Sequence, residues 1–387
     1  MKLFVLTSRI PFPLEKGDKL RIFNQLKRLS KSHKIYLCST QLPNTKVAKE
    51  SKEVLLSLCE EVHFIKLSYM QILISLLKAI FNNDPFQTAL FYDLHAQSKI
   101  TQLISEIKPD HLYCQLTRVA KYIAHNNTRK TLDYMDAFSK GMERRANKSH
   151  LALSWFYKWE ARKQEKYESQ MMDLFENHTI ITKEDRSFIN HQKKMSINII
   201  SNGVDFEYFK PCKIIIKYDL VFVGNMSYAP NIDAVQFLCN DILPIIKIKI
   251  PKIKILIAGA YPSKSVLKLE SRNITVSGWM EDIREAYAMS KVFIAPMRMG
   301  TGLQNKLLEA MSMNKACITT NIANKGLSAP VDAIYAADNA QELADYCIKI
   351  LTDKVLRNEL ERNAHLFVKN KYSWDKTTND LDKILKE

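Results

Sequence analysis

"MRMGTGLQNKLLEAMSMNKACITT", residues 297–320, reads as loop, helix and strand in succession. Gly300 and Gly302 permit backbone conformations that a Cβ disfavours. Leu307, Leu308 and Met311 recur at helical spacing and give the middle of the segment a core face. Ala316–Thr320 is a short apolar run of the buried-strand type. Lys306 and Glu309 are i, i+3 neighbours in the first turns of that helix. As a surface ion pair they would contribute about 0.2–0.5 kcal/mol. As a site they would do more: helix N-terminal N–H groups and a lysine meet a phosphate, and a carboxylate accepts from a pair of hydroxyls. The stretch alone leaves both readings open.

The same alternation extends outward along the chain. Strand candidates before it are Leu3–Leu6, Ile35–Cys38, Val62–Ile65, Leu112–Cys114, Thr179–Ile181 and Ile197–Ile200, with helical stretches such as Leu20–Leu29 and Val47–Leu58 between them. "SNGVDFEYFKPCKIIIK" (201–217) then breaks the pattern with a turn at Asn202-Gly203 and a stop at Pro211. Strands resume at Leu220–Val223, Ile253–Ile257, Ile274–Val276, Val292–Ala295 and Cys317–Thr320, with helices near 231–247, 281–289, 304–313 and 340–351. Strand-helix alternation argues for βαβ units and parallel sheets. The expectation is an α/β chain of two doubly wound domains joined by a short linker. Ligands of such folds bind outside the carboxyl ends of the strands, so the cleft between the domains is the default site.

Composition agrees with two cores. The chain has 387 residues, 46% hydrophobic and 25% charged, which excludes a disordered protein. Seven scattered cysteines form no CxxC pair and several sit in apolar runs. They read as small core residues in a reducing compartment, not as a disulfide frame or a zinc site. "MKLFVLTSRIPFP" is too short an apolar run for a signal peptide and reads as a first strand. No apolar stretch reaches the roughly 18 residues of a membrane span; the nearest, "MQILISLLKAIF" (70–81), is short and interrupted by Lys78.

The net charge of +16 is unevenly placed. Residues 1–195 carry 32 Lys and Arg against 20 Asp and Glu; residues 196–387 carry 25 against 21. A basic N-terminal half attracts nucleic acid, an anionic membrane or a phosphorylated acceptor, unless it is only a lysine-rich composition. The segment 141–177 concentrates Arg144, Arg145, Lys148, Lys158, Arg162 and Lys163 beside Leu151, Trp155, Phe156 and Trp159. It reads either as an interfacial amphipathic helix or as a helix packed by its aromatics with a solvated charged face.

Four further stretches hold polar residues at strand ends. In "PLEKGDKLRIFNQLKRL" (13–29), Gly17 permits close approach and Asp18 is a good N-cap. In "LVFVGNMSYAPNIDAVQFL" (220–238), Gly224 and Asn225 open a phosphate-accessible turn, and Ser227 or Asn231 can cap the helix. "LYCQLTR" (112–118) ends a strand at Gln115, and "TLDYMDAFSKG" (131–141) sets Asp133 and Asp136 at the next end; either pair fits ordinary turn or cap chemistry. The one D-x-D, Asp380 and Asp382, lies in the C-terminal tail and reads as a solvated helix face. No histidine pair has metal spacing, and no GxSxG or Walker loop is present; no metal is expected.

Together these pieces resemble the GT-B retaining glycosyltransferases of family 4, the group 1 transferases, and most closely the subgroup found with exosortase systems. The markers are "PFPLEKGDKLR" (11–21), "DYMDAFSKGMERRA" (133–146), "SNGVDFEYFKP" (201–211), "FVGNMSYAPNIDAVQFL" (222–238), "GWMEDIREAYAMSKVFIAPMRMGTGLQNKLLEAM" (278–311) and "YSWDKTTNDLDKIL" (372–385). The resemblance implies an acceptor-side Rossmann-like domain over 1–200, a linker over 201–217, a nucleotide-sugar domain over 218–371 and a terminal helix, 372–387, returning to the first domain. It implies that Glu309 accepts from the ribose hydroxyls, that Lys306 and Arg298 meet the diphosphate, and that Gly302, Gln304 and Asn305 line the donor. Gly17 and Asp18 would face the phosphates and the transferred sugar.

Three departures accompany the resemblance. The family's second glutamate falls eight positions before Glu309, at Thr301, which lacks its charge. "GNMSYAPN" lacks the usual arginine and lysine. The first-domain histidine near the reacting sugar has no match, leaving Gln115, Asp133 or Asp136 for that neighbourhood. The implied reaction is metal-free, retaining transfer from a nucleotide diphosphate sugar to a hydroxyl of a glycan or lipid-linked acceptor in cell-surface polysaccharide or glycoconjugate biosynthesis. No cofactor and no nucleic-acid partner are expected. The expected location is the cytoplasm, with peripheral contact at the inner membrane face. An epimerase or phosphorylase on the same fold, or a non-catalytic glycan- or lipid-binding protein, are the alternatives.

Overall fold

The computed structural model describes residues 1–387 apart from Glu15, Gly300 and Thr301, and apart from the side chains of Lys148 and Ala152. It divides into two units, Met1–Ser201 with Thr378–Glu387, and Asn202–Thr377.

The first unit is built on seven parallel strands: β1 (Lys2–Thr7), β2 (Lys34–Gln41), β3 (Glu61–Lys66), β4 (His111–Gln115), β5 (Lys130–Asp133), β6 (Asn177–Ile180) and β7 (Asn198–Ile199). Their order is β3-β2-β1-β4-β5-β6-β7. β1 pairs with β2 on one side and β4 on the other, in parallel register. Helices cover both faces, so the central strand is apolar throughout rather than alternating. Leu3 and Val5 face one layer, with Ile22, Leu26 and Leu29 of the Gly17–Leu29 helix and Leu381, Ile384 and Leu385 of the terminal Trp374–Lys386 helix. Phe4 and Leu6 face the other, with Ile100, Ile104 and Met171.

The second unit repeats the plan with six strands: β8 (Tyr218–Val223), β9 (Ile255–Ala258), β10 (Ile274–Gly278), β11 (Ser290–Ala295), β12 (Ala316–Thr319) and β13 (Tyr335–Ala336). The order is β10-β9-β8-β11-β12-β13, again parallel. In both sheets the strand order reverses beside the first strand, between β1 and β4 and between β8 and β11. Open α/β sheets bind ligands outside the carboxyl ends of the strands at such points.

Several local expectations are corrected. The first helix begins at Gly17, two residues earlier than a cap at Asp18 requires; Lys16 is the N-cap and no side chain caps it. Asp18 instead bonds Arg9 at 2.6 Å. The helix after β8 is Ala229–Phe237 with Tyr228 at the cap, so neither Ser227 nor Asn231 caps it. The stretch 141–177 is not one helix but two, Phe138–Lys148 and Leu151–Leu174, separated by extended residues Ser149 and His150. Residues 202–217 cluster with the second unit, where the Val204 N–H donates to the Tyr372 carbonyl at 2.8 Å.

Candidate active site

In the second unit, the ends of β8, β9 and β11 converge with the Asn305–Ser312 helix. Glycine is required where the β8 and β9 turns meet. Gly259 has φ +137°, and a Cβ there would lie 1.9 Å from the Gly224 carbonyl oxygen. A Cβ on Gly224 would lie 2.7 Å from Asn231 Nδ2. With no side chains between them, the turn and helix close on one another. Asn231 Nδ2 donates to the Asn225 carbonyl at 2.8 Å, while Asn225 Oδ1 accepts from the Ser227 N–H and hydroxyl at 2.9 and 2.7 Å.

Lys306 reaches into this corner. Its ammonium donates to Asn231 Oδ1 at 2.5 Å, stands 4.7 Å over the Phe222 ring and lies 3.7 Å from Met297 Sδ. Desolvation lowers its pKa to about 8, although Glu309 favours the charge. Glu309, one turn on, accepts from the Tyr287 hydroxyl at 2.7 Å through Oε2. Burial raises this carboxyl, and Tyr287 and Lys306 oppose the rise. Tyr287 fills the core on the Ile283–Ala288 helix, so the carboxylate is held from below.

The end of the Asn305–Ser312 helix suits an anion. No side chain caps it and its first turn has no acid. Asn305 Oδ1 is buried there without a partner among the described residues. Gln304 Nε2 donates to the Gly302 carbonyl at 3.2 Å, and the space a Gly302 Cβ would enter is open. Thr301 lies outside the described residues. Arg298 is engaged elsewhere: it grips Asp233 at 2.6 and 3.0 Å and lies 4.4 Å over the Phe237 ring. Its hydrogen bonds to Asp233 raise its pKa.

The first unit treats its candidate residues differently. Asp133 is fully buried and accepts from Arg21 at 2.6 and 3.1 Å, Thr179 Oγ1 at 2.9 Å and the Tyr113 hydroxyl at 3.2 Å. That closed network gives it a role in holding β4, β5, β6 and the first helix together, rather than contact with a substrate. Gln115 Nε2 donates to the Asp18 carbonyl at 2.8 Å, so β4 holds the turn after β1. A Cβ at Gly17 would meet no atom within 4 Å. Asp136 keeps access to solvent, yet it is crowded by protein. Desolvation and the neighbouring Asp185 and Asp133 carboxylates raise it to about 7, against the pull of Arg118 and Arg144.

Among the described residues, no group of three or more His, Cys, Asp or Glu is placed to hold a metal ion. Asp380 and Asp382 are held by Lys383 and by Lys386 and His33 respectively. Sequence reasoning missed Tyr287 and the bonding role of Asn231. An aromatic within a core helix and an amide after a proline carry no signal of their own; only the fold sets them against Glu309 and Lys306.

Residues 217–353 match the family "Glycosyl transferases group 1". A Klebsiella pneumoniae protein described as "Uncharacterized 44.6 kDa protein in cps region" is 21% identical, covering 99% of each chain. Among solved structures, Anabaena HepE in complex with UDP superposes with a TM-score of 0.69 at 12% identity, covering all of both chains. WaaG, a glycosyltransferase involved in lipopolysaccharide biosynthesis, gives 0.65 at 14% identity over 100% of this chain and 99% of its own. The fold is that of the GT-B glycosyltransferases. The family match lies in the second unit, and residues 217–353 are similar to the group 1 glycosyl transferases.

Proposed function

We propose that this protein transfers a sugar from a nucleotide diphosphate sugar to a hydroxyl acceptor, with retention and without a bound metal, as a family 4 enzyme of the exosortase-associated kind. The observation that carries the reading is the pairing of Glu309, braced by Tyr287, with Lys306 at an uncapped helix end beside the β8–β11 reversal. Glu309 accepts from the ribose diol. Lys306, the helix N-terminus and Asn305 receive the diphosphate, whose charge grows as the sugar departs; pre-placed donors stabilise such charge without reorganisation. Arg298 adds charge when it leaves Asp233 for the diphosphate. Gly224, Asn225, Gly302 and Gln304 frame the donor in the second unit. Asp136 or Gln115 serves near the transferred sugar. The fold shared with the UDP complex of HepE supports the donor class.

The place of action is the cytoplasmic membrane face, in cell-surface polysaccharide or glycoconjugate assembly, with a glycan or lipid-linked acceptor. The likeness to WaaG supports this role. No helix among the described residues is long and apolar enough to cross a membrane. The first unit does expose Met70, Leu73, Leu77 and Phe81 of the Tyr69–Phe81 helix and Leu151 and Trp155 of the Leu151–Leu174 helix. Lys163 joins the two helices by donating to the Asn82 carbonyl at 2.7 Å and to that of Ala79. Exposed Lys158, Arg162 and Lys166 supply positive charge alongside.

The test begins with a thermal-shift panel of nucleotide sugars on the full chain. For the nucleotide that binds, Glu309→Gln should weaken affinity about tenfold or more, since a charged hydrogen bond contributes roughly 1.5–3 kcal/mol. Unchanged affinity refutes the ribose assignment. Transfer should persist in EDTA; its loss, with recovery on adding Mg²⁺ or Mn²⁺, refutes the metal-free mechanism.

A further inference from the structure

The first unit holds a recess of about 250 Å³ along the Tyr69–Phe81 helix, lined by none of the residues given a role in transfer. Gln71, Ile74, Ser75 and Lys78 of that helix form one wall. Asp84, Thr88, Tyr92 and Lys121 line the rest. Positions 71, 74, 75 and 78 make one stripe of a helix. The exposed Met70, Leu73 and Leu77 each precede a member of that stripe by one residue, so the apolar stripe runs alongside the polar one.

The wall is built for a polar ligand. Thr88 is 1% exposed and lines the recess. The Tyr167 hydroxyl lies beside its Oγ1, yet neither atom completes a hydrogen bond of good geometry with any described residue. A buried hydroxyl left in that state is costly, and a ligand hydroxyl would satisfy it. Lys121 is fixed in place: its ammonium donates to Asp84 Oδ2 at 2.5 Å and lies 4.7 Å over the Tyr92 ring. Asn82 Nδ2 donates to the same carboxylate oxygen at 2.9 Å. Lys78 is exposed. Lys78 and Lys121 against Asp84 leave a balance of +1 among the described wall residues. One phosphodiester cancels that balance when the group beyond it is uncharged. Hydroxyls are such a group, and Thr88, Gln71 and Asp84 can all bond them. A head with its own ammonium, or with ammonium and carboxylate, brings further charges whose lost hydration nothing in the wall replaces. The recess is also smaller than the roughly 300–1,000 Å³ of drug-sized sites, which suits a head group rather than a whole nucleotide sugar.

We propose that this recess binds the head of a membrane phospholipid whose phosphodiester carries a glycerol, with its acyl chains against Met70, Leu73 and Leu77. Lys78 receives the phosphodiester; Thr88, Gln71 and Asp84 receive the diol. The inference rests on the reading of the first unit as a membrane contact. It makes that contact selective for one head group rather than for negative charge alone.

The experiment offers the full chain two sets of phosphatidylcholine vesicles, doped equally with phosphatidylglycerol or with phosphatidylserine, lipids of the same net charge. Phosphatidylglycerol vesicles should bind about fivefold more tightly, the scale of one added hydrogen bond. Thr88→Val should remove that preference and leave phosphatidylserine binding unchanged, while Thr88→Ser keeps it. Monomeric dihexanoyl phosphatidylglycerol is titrated alongside by calorimetry. Its affinity should fall about tenfold in Lys78→Gln, the scale of one charged hydrogen bond, and recover in Lys78→Arg, which separates charge from folding. Equal binding of the two vesicle types overturns the proposal. So does a preference that survives both Thr88→Val and Lys78→Gln, or failure of the dihexanoyl lipid to bind. Lys78-dependent binding of that lipid by a chain that ignores vesicles of every composition supports the recess and overturns the membrane reading instead.

Discussion

Asp133 and Arg21 lie 112 positions apart and are both fully buried. Removing one partner of a buried pair leaves the other charge uncompensated, at a cost of about 3–5 kcal/mol. Asp133→Ala should lower first-unit stability by that amount in urea denaturation, and Arg21→Met/Asp133→Leu by much less. Equal losses would mean that the charge is not what matters. The sequence marks Asp133 as a carboxylate at a strand end, which it is, but burial depends on a partner that only the folded sheet supplies. Lys306 and Glu309 are the opposite case. Loop, helix and strand are local, so their shared helix end is legible in one stretch. Their other partners, Asn231 and Tyr287, lie 75 and 22 positions away and are not. Lys306 also predicts a pH profile. Its burial lowers the pKa to about 8, and in the proposed mechanism the cation is the working form. Above that pH the charge is lost, so kcat/KM for the donor should fall as pH rises through about 8. Lys306→Ala should cost about a hundredfold in rate, the scale of one lost transition-state donor, and should flatten that alkaline limb. An unchanged limb assigns it to another group.

Among the elements, strands were the most legible because a strand covered on both faces must be apolar throughout. Helix ends were less so. Lys16 and Tyr228 cap without side-chain bonds, and nothing in Ser149-His150 announces the break in the basic segment. The run 70–81 is visibly apolar, but its composition does not say that one face stays uncovered. That face should bind anionic vesicles more strongly than neutral ones, with attachment weakening as salt rises. Leu73→Asp/Phe81→Asp should abolish most of the binding while leaving nucleotide affinity intact. Vesicle binding that survives both changes moves the contact elsewhere. The terminal helix makes a different prediction. Leu381 is fully buried beneath β1 and β2, and truncating such a leucine costs about 2–5 kcal/mol. Leu381→Ala should lower the unfolding midpoint of the first unit without moving that of the second. Coincident shifts in both would show that they unfold as one.

Across the whole molecule, one plan is used twice: each sheet reverses its order beside its first strand. Most of the excess positive charge falls in the first half of the chain. The first unit is nevertheless not continuous in sequence, since its last ten residues, Thr378–Glu387, follow the entire second unit. During translation the ribosome must make the 176 residues from Asn202 to Thr377 before it supplies them. At roughly 5–20 residues per second that interval is about 9–35 s. Throughout it, the surface that will receive Leu381, Ile384 and Leu385 has no cover. The half of the chain that leaves the ribosome first is thus the last to be completed, and a nascent chain stalled anywhere in the second unit displays an open apolar seam for chaperones to hold.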